Sequence, residues 1–215
     1  MSERAILCFG DSNTHGSIPM ERLYESRRLG PAERWPGVAA AALGPGWRII
    51  EEGLPGRTTV HADPIEGAHK NGLAVLPAML ESHRPLDGVV LMLGTNDLKA
   101  RFALPAGDIA LSVECLVDAI LGGECGPAGA PPRVLVVAPP PILETGCLDF
   151  MFAGGAKKSA ELAALYCAAA GRRGVDFFDA GTVIRSSPLD GIHFEADQHE
   201  ALGRAIADKL RAMFP

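Results

Sequence analysis

The 215 residues suit one α/β domain with a substantial core better than two small domains, and an apolar share of 47% against 21% charged is the balance of an ordinary globular chain. A formal net charge of −6, with basic residues only in short pairs such as Arg27-Arg28, Lys157-Lys158 and Arg172-Arg173, argues against nucleic acid as a partner, because phosphate binding needs clustered Lys and Arg. Five cysteines without a CxxC pair exclude a disulfide framework and a zinc site as first readings, and no leader or membrane-length apolar run is visible, so a reducing cytoplasm and no membrane contact are expected.

Ala5 to Phe9 is a continuous apolar run closed by Gly10 and predicts a buried first strand. Ser17 to Arg34 has no clear period and reads as an excursion over one edge of the fold. A helix is expected from Pro36 to Leu43, then a second strand from Trp47 to Glu51 with Arg48 marking a wet position. A helix over Gly72 to His83 precedes the clearest strand, Gly88 to Leu93, which stops at Gly94. Ala106 to Leu121 predicts the next helix. Arg133 to Ala138 predicts a fourth strand, stopped by the prolines from Pro139. A helix from Gly155 to Arg172 leads to a fifth strand, Val175 to Asp179. The last helix is expected from Glu195 to Phe214, where Leu202, Ile206 and Leu210 recur at helical spacing. Strands apolar on both faces, alternating with helices, imply one parallel sheet covered on both sides.

In such sheets function gathers where strands end at their C-terminal edge. The residues just past the predicted strands are Gly10-Asp11-Ser12-Asn13, Gly53-Leu54-Pro55-Gly56-Arg57 and Gly94-Thr95-Asn96-Asp97; Asp190-Gly191-Ile192-His193 lies beyond the fifth. Taken singly each is unremarkable: Ser12 as a helix cap, Asp190 as a turn residue, His193 as a core or capping group. Together they supply a reaction. A serine hydroxyl needs a base, because its own pKa leaves almost no alkoxide at neutral pH. His193 is that base, and Asp190, three residues earlier, is placed to hold its other nitrogen. The backbone N–H of Ser12, that of Gly56 and the Asn96 amide are the expected oxyanion donors, each typically worth about 3 to 4 kcal/mol in the transition state. Asp11 and Asp97 are expected to brace these loops through backbone hydrogen bonds.

This order of motifs resembles the four blocks of the SGNH (GDSL-like) hydrolases. Ile6 to Ser12, Glu51-Glu52-Gly53-Leu54, Arg57-Thr58-Thr59, Met92 to Asp97 and Phe177 to Gly181 look like the arylesterase/acyltransferase branch called perhydrolases. The resemblance spans essentially the whole chain. It implies a flavodoxin-like α/β/α sandwich on a five-stranded parallel sheet, no metal and no cofactor. It also implies ester hydrolysis with acyl transfer to alcohols or hydrogen peroxide, and a homo-oligomer built on dimers, up to an octamer. Asn13 stands where the motif's name expects Leu, and His15 and Ser17 stand where acyltransferase members carry tryptophan. A polar Ser17 makes that wall wetter, so a lower ratio of transfer to hydrolysis is expected. Asn13, Ser17, Lys99, Leu148, Met151, Phe152 and Ile192 are the candidate substrate pocket, although the apolar ones are equally suited to plain core. Two other readings stand beside the arylesterase: an acetyl esterase acting on carbohydrates or other natural products, and a non-catalytic flavodoxin-like binding module. The second has neither a GxGxxG nor a GxxxxGK[ST] sequence to support nucleotide binding.

Overall fold

The computed structural model describes residues 3–215. Five strands, β1 (Arg4–Gly10), β2 (Trp47–Gly53), β3 (Gly88–Met92), β4 (Arg133–Ala138) and β5 (Asp176–Asp179), form one wholly parallel sheet in the order β2-β1-β3-β4-β5. The helices are a single turn α1 (Ser12–His15), then α2 (Trp35–Leu43), α3 (Gly72–His83), α4 (Ala106–Gly122), α5 (Gly155–Arg173) and α6 (Ala196–Met213).

Alternation along the central strands builds two cores, because successive strand side chains point to opposite faces. Ile6 and Cys8 of β1, Val90 and Met92 of β3 and Leu135 and Val137 of β4 pack under α2 and α6. Leu7, Phe9, Val89, Leu91, Val134 and Val136 pack on the other face under α3, α4 and α5. The sheet is thus the middle layer of an α/β/α sandwich, as the resemblance implies. The strands at the two ends of the sheet, β2 and β5, are only half-buried, which is why Arg48 reaches solvent and why their apolar runs are less continuous.

Element ends differ from expectation by one or two residues, the larger at β2, which runs on past Glu51 to Gly53. Val175 lies outside β5 because its N–H closes the end of α5 on Ala170 O. Glu195 is the residue before α6, not its first turn. Among the described residues no helix is long and apolar enough to cross a membrane.

The topology fixes where a site can form. From β1 the chain moves outward to β2, then crosses back to β3 on the other side of β1. The loops after β1 and β3 therefore part at the C-terminal edge and leave a crevice between them. Gly10 ends β1 against both Gly53 and Met92, and a Cβ here would stand 2.0 Å from Thr14 Oγ1. Glycine is what lets α1 fold back directly onto the strand end.

Candidate active site

Ser12 opens α1, and the cap is Asp11 instead of the serine itself: Asp11 Oδ1 accepts the Asn13 N–H at 2.9 Å. The Ser12 hydroxyl is left free of capping duty. It meets His193 Nε2 at 3.0 Å, across 181 residues of sequence. His193 Nδ1 donates to Asp190 Oδ2 at 2.6 Å, which assigns the proton to Nδ1 and leaves Nε2 as the acceptor facing Ser12. Ser12 and His193 are each 5% exposed and Asp190 is wholly buried.

Asp190 can be buried because all its lone-pair directions are used. Its Oδ1 accepts the N–H groups of Ile192 (3.0 Å) and His193 (2.9 Å), and Oδ2 accepts the Met20 N–H (2.8 Å) as well as the imidazole. Burial pushes its carboxyl up, but the bond to His193, the imidazole's charge and the two backbone donors outweigh that and hold it below the ordinary value. The Met20 contact had no signal in the sequence. It anchors the Ser17–Arg34 excursion to the residue that orients the histidine.

The residues of the expected oxyanion donors, Ser12, Gly56 and Asn96, border the same crevice. Among the described residues neither Ser12 N–H nor Gly56 N–H has an acceptor. Gly56 adopts φ +79°, a left-handed conformation suited to glycine, in the turn closed by Arg57 N–H on Leu54 O at 3.0 Å. Asn96 Nδ2 donates to Arg57 O at 3.1 Å and to Asp11 Oδ2 at 3.4 Å, so the amide is aimed across the crevice from β3 toward β1. Asp97, beside it, accepts the Thr59 N–H (3.0 Å) and the Thr59 hydroxyl, tying the loop after β3 to the loop after β2. Arg57 is buried with its guanidinium 4.1 Å from the Phe9 ring centroid and donates to Gly10 O at 2.9 Å. Burial lowers its pKa to about 10, against the opposing pull of Glu52 and Asp11.

These groups open into a cavity of about 360 Å³, at the small end of ligand pockets. Ser12, Gly56, Asn96 and His193 border it. Of the residues singled out in the sequence, Ser17, Lys99, Leu148, Met151, Phe152 and Ile192 line it. Leu148, Phe152 and Ile192 belong to the core as well, so both readings of them hold. Asn13 does not line it: the residue is buried and its amide donates to Ile192 O at 3.2 Å, joining the Ser12 turn to the loop that carries His193. One helical step of about 100° turns it away from the side Ser12 faces.

The excursion supplies Met20, Leu23 and Tyr24 to the same cavity, in keeping with its expected place over the edge. Glu66 and Arg101 also line it and were missed. Glu66 lies in the aperiodic stretch between β2 and α3, and Arg101 sits past the motif that marks Asn96; no spacing identifies either.

The model of the GDSL-like lipase/acylhydrolase family matches residues 8–201. Among solved structures, a carbohydrate acetylesterase from Sinorhizobium meliloti is 46% identical with a TM-score of 0.94, covering 99% of this chain and 100% of that one. The native aryl esterase of M. smegmatis is 43% identical with a TM-score of 0.94, covering 98% and 100%. No functionally curated protein matches the sequence.

Proposed function

Because the chain belongs to the GDSL-like lipase/acylhydrolase family, we propose that it is a serine carboxylic-ester hydrolase for short-chain esters, acting through an acyl-enzyme on Ser12. The observation that carries the reading is the continuous relay Ser12–His193–Asp190, at 3.0 and 2.6 Å, on the wall of a small cavity. Ser12 Oγ attacks the acyl carbon while His193 Nε2 takes its proton. The resulting oxyanion is held by the unengaged N–H groups of Ser12 and Gly56 and by Asn96, whose long 3.4 Å contact to Asp11 is the bond most readily exchanged. Collapse breaks the bond to the alcohol oxygen, which leaves with the proton from His193. Water then attacks the acyl-enzyme, giving its proton to His193, and the second collapse frees the acid and restores Ser12. An alcohol in place of water gives a new ester, and hydrogen peroxide gives a peracid.

Ser12→Ala tests this directly. Hydrolysis of p-nitrophenyl acetate should fall by at least about 10⁴-fold with the melting temperature kept, since removing the nucleophile disables the whole relay. Turnover within tenfold of wild type would refute the reading. Rates that fall from acetate through butyrate to octanoate are expected from the cavity's size.

A second reading within the same chemistry is an acetyl esterase for hydroxylated alcohols such as sugars. It draws support from the charged residues Glu66, Lys99 and Arg101 in the cavity's lining, and from the likeness to the carbohydrate acetylesterase. Comparing kcat/KM on sugar acetates with that on aryl acetates separates the two. Assembly as a homo-oligomer belongs to the same proposal: Tyr24 and Ile65 at the cavity and Phe150 nearby in sequence to Met151 are 95%, 74% and 62% exposed, apolar surface of the kind an interface covers. Sedimentation equilibrium decides it, a monomer at micromolar concentration counting against.

A further inference from the structure

Asp63, Glu66, Lys99 and Arg101 form one ion cluster beside the proposed oxyanion donors. Asp63 is buried and accepts the N–H groups of Ile65 (2.8 Å) and Glu66 (3.0 Å), which fixes the turn carrying Glu66. Arg101 Nη1 lies 2.9 Å from Asp63 Oδ1 and 3.6 Å from Glu66 Oε1. Lys99, only 3% exposed, is hydrogen-bonded to Glu66 Oε1 and lies 3.6 Å from Asp63 Oδ2. Burial pushes the Asp63 carboxyl up, yet the two backbone donors, Lys99 and Arg101 together hold it below the ordinary value.

The other Glu66 oxygen packs on Gly56: a Cβ built there would be 2.2 Å from Glu66 Oε2 and 3.3 Å from Lys70 Cε. Lys70 Nζ in turn donates to Pro55 O at 2.8 Å. The peptide that presents the Gly56 N–H is therefore clasped by the 63–70 segment. Lys99 and Arg101 follow Asn96 by three and five residues on the loop after β3. The cluster thus joins the Gly56 loop to the Asn96 loop on the cavity side, while Thr59–Asp97 joins the same two loops underneath.

We propose that Glu66, Lys99 and Arg101 are positioning residues that set the separation of the Gly56 and Asn96 oxyanion donors. This rests on the esterase reading of the same site. The physical reason is that a buried ammonium and a half-buried carboxylate hold each other strongly, and losing one leaves the other only its longer 3.6 Å partner in the cluster, Asp63 for Lys99 and Arg101 for Glu66, which loosens the tie between the two loops. Donors must stay within a fraction of an ångström of the developing oxyanion, and a misplacement of about 1 Å can cost roughly 10²-fold.

Glu66→Gln and Lys99→Met are the test, read as kcat and KM on p-nitrophenyl acetate. Each should lower kcat by about 10- to 100-fold with KM within about threefold, and the double variant should be no worse than the poorer single one, because both break one unit. Lys99→Arg and Glu66→Asp, which keep the charges, should recover part of the loss and serve if the first pair does not fold. Glu114→Gln is the reference for a purely structural ion cluster: this buried carboxylate pairs with Arg172 and Arg173 between α4 and α5, and its loss should lower the melting temperature without changing kcat. The proposal is overturned if Glu66→Gln and Lys99→Met behave like Glu114→Gln, or if KM rises while kcat stays. A parallel readout is the rate at which a fluorophosphonate labels Ser12, seen by intact mass, since its phosphoryl oxygen occupies the same donors. Slowing in proportion to kcat supports the staple and an unchanged rate removes it. A wild type that takes the label and hydrolyses no ester would sink the esterase reading alone.

Discussion

Two histidines six residues apart, His193 in the loop before α6 and His199 in its first turn, are both buried, at 5% and 0% exposure, yet their surroundings make different molecules of them. His193 has a carboxylate on one nitrogen, a hydroxyl on the other and a cavity in front. His199 accepts the Trp35 N–H on Nδ1 at 3.2 Å, rests against the Phe194 ring at 5.6 Å and leaves Nε2 without a partner among the described residues. Burial lowers the His199 pKa to about 4, with His193 a lesser cause, so it is neutral wherever the protein is folded near neutrality. Burial alone therefore does not distinguish the two imidazoles. Opposed proton partners on the two ring nitrogens do, and of the two only His193 has them.

The sharpest way to break this comparison is to exchange each ring for an amide. His193→Gln should lower kcat by about 10⁴-fold or more, while His199→Gln at pH 7.5 stays within about threefold of wild type. Steady-state hydrolysis of p-nitrophenyl acetate checks both, and comparable losses would mean that the two rings act together. Asp190→Asn should cost somewhat less, about 10³- to 10⁴-fold, because the imidazole remains but its tautomer is no longer imposed. The same change replaces one of the oxygens that hold Met20 N–H and His193 Nδ1, so faster proteolysis within Ser17–Arg34 is expected alongside it.

The uneven legibility of the sequence has the same cause as the difference between the histidines. Strand runs such as Val89 to Met92 are visible because burial on two faces demands unbroken apolar sequence, and the loops that follow them could be placed at one edge from topology alone. Ser12, His193 and Asp190 could be picked out because their joint chemistry is rare, and the arrangement found at that edge has them in contact. What stayed hidden was direction and distance. The sequence reading puts Asn13 in the candidate pocket, but a helical turn rotates it inward onto Ile192 O. Glu66 sits ten residues from Gly56 in a segment without period, so nothing in the sequence announces that its carboxylate packs on that glycine. Contacts closed by irregular loops depend on where the chain returns in space, which neither hydropathy period nor motif spacing records.

A third effect, smaller than the catalytic ones, sharpens the comparison through pH. An unfolded histidine gains its proton near pH 6.5, whereas folded His199 resists it down to about 4; folding stability is therefore lost as pH falls through that window, by about 3 kcal/mol. Asp11 runs the other way. Burial raises its carboxyl from 3.8 to about 6, against the Asn13 N–H, His193 and Arg57, so it contributes stability below about pH 4 that is lost as pH rises through 6, again about 3 kcal/mol. Between pH 4 and 6 the two oppose each other and wild-type stability should be nearly insensitive to them. Urea unfolding across that range should show His199→Gln gaining stability on acidification and Asp11→Asn losing it more steeply than wild type. Parallel slopes in all three proteins would break the assignment.

The smallest expected effect concerns the cavity in front of His193, the feature that His199 lacks. Ser17 is half-buried there, with its hydroxyl 3.4 Å from His15 Nδ1, so this part of the wall offers water two polar partners close to the acyl-enzyme. Burial, and after it Arg28 and Arg34, push the His15 pKa below its ordinary value and so disfavour its charged form. Water and an alcohol compete for the same intermediate, and a wall that hydrates well favours water. Ser17→Trp replaces the hydroxyl by an indole whose N–H is its one polar group, so the ratio of ester formation to hydrolysis with a fixed excess of alcohol should rise by about two- to fivefold. Total acyl-enzyme turnover should change less than that ratio, because Ser12, His193 and the oxyanion donors are untouched. An unchanged ratio would place the control of water elsewhere in the cavity, with the charged wall of Glu66, Lys99 and Arg101 the next surface to alter.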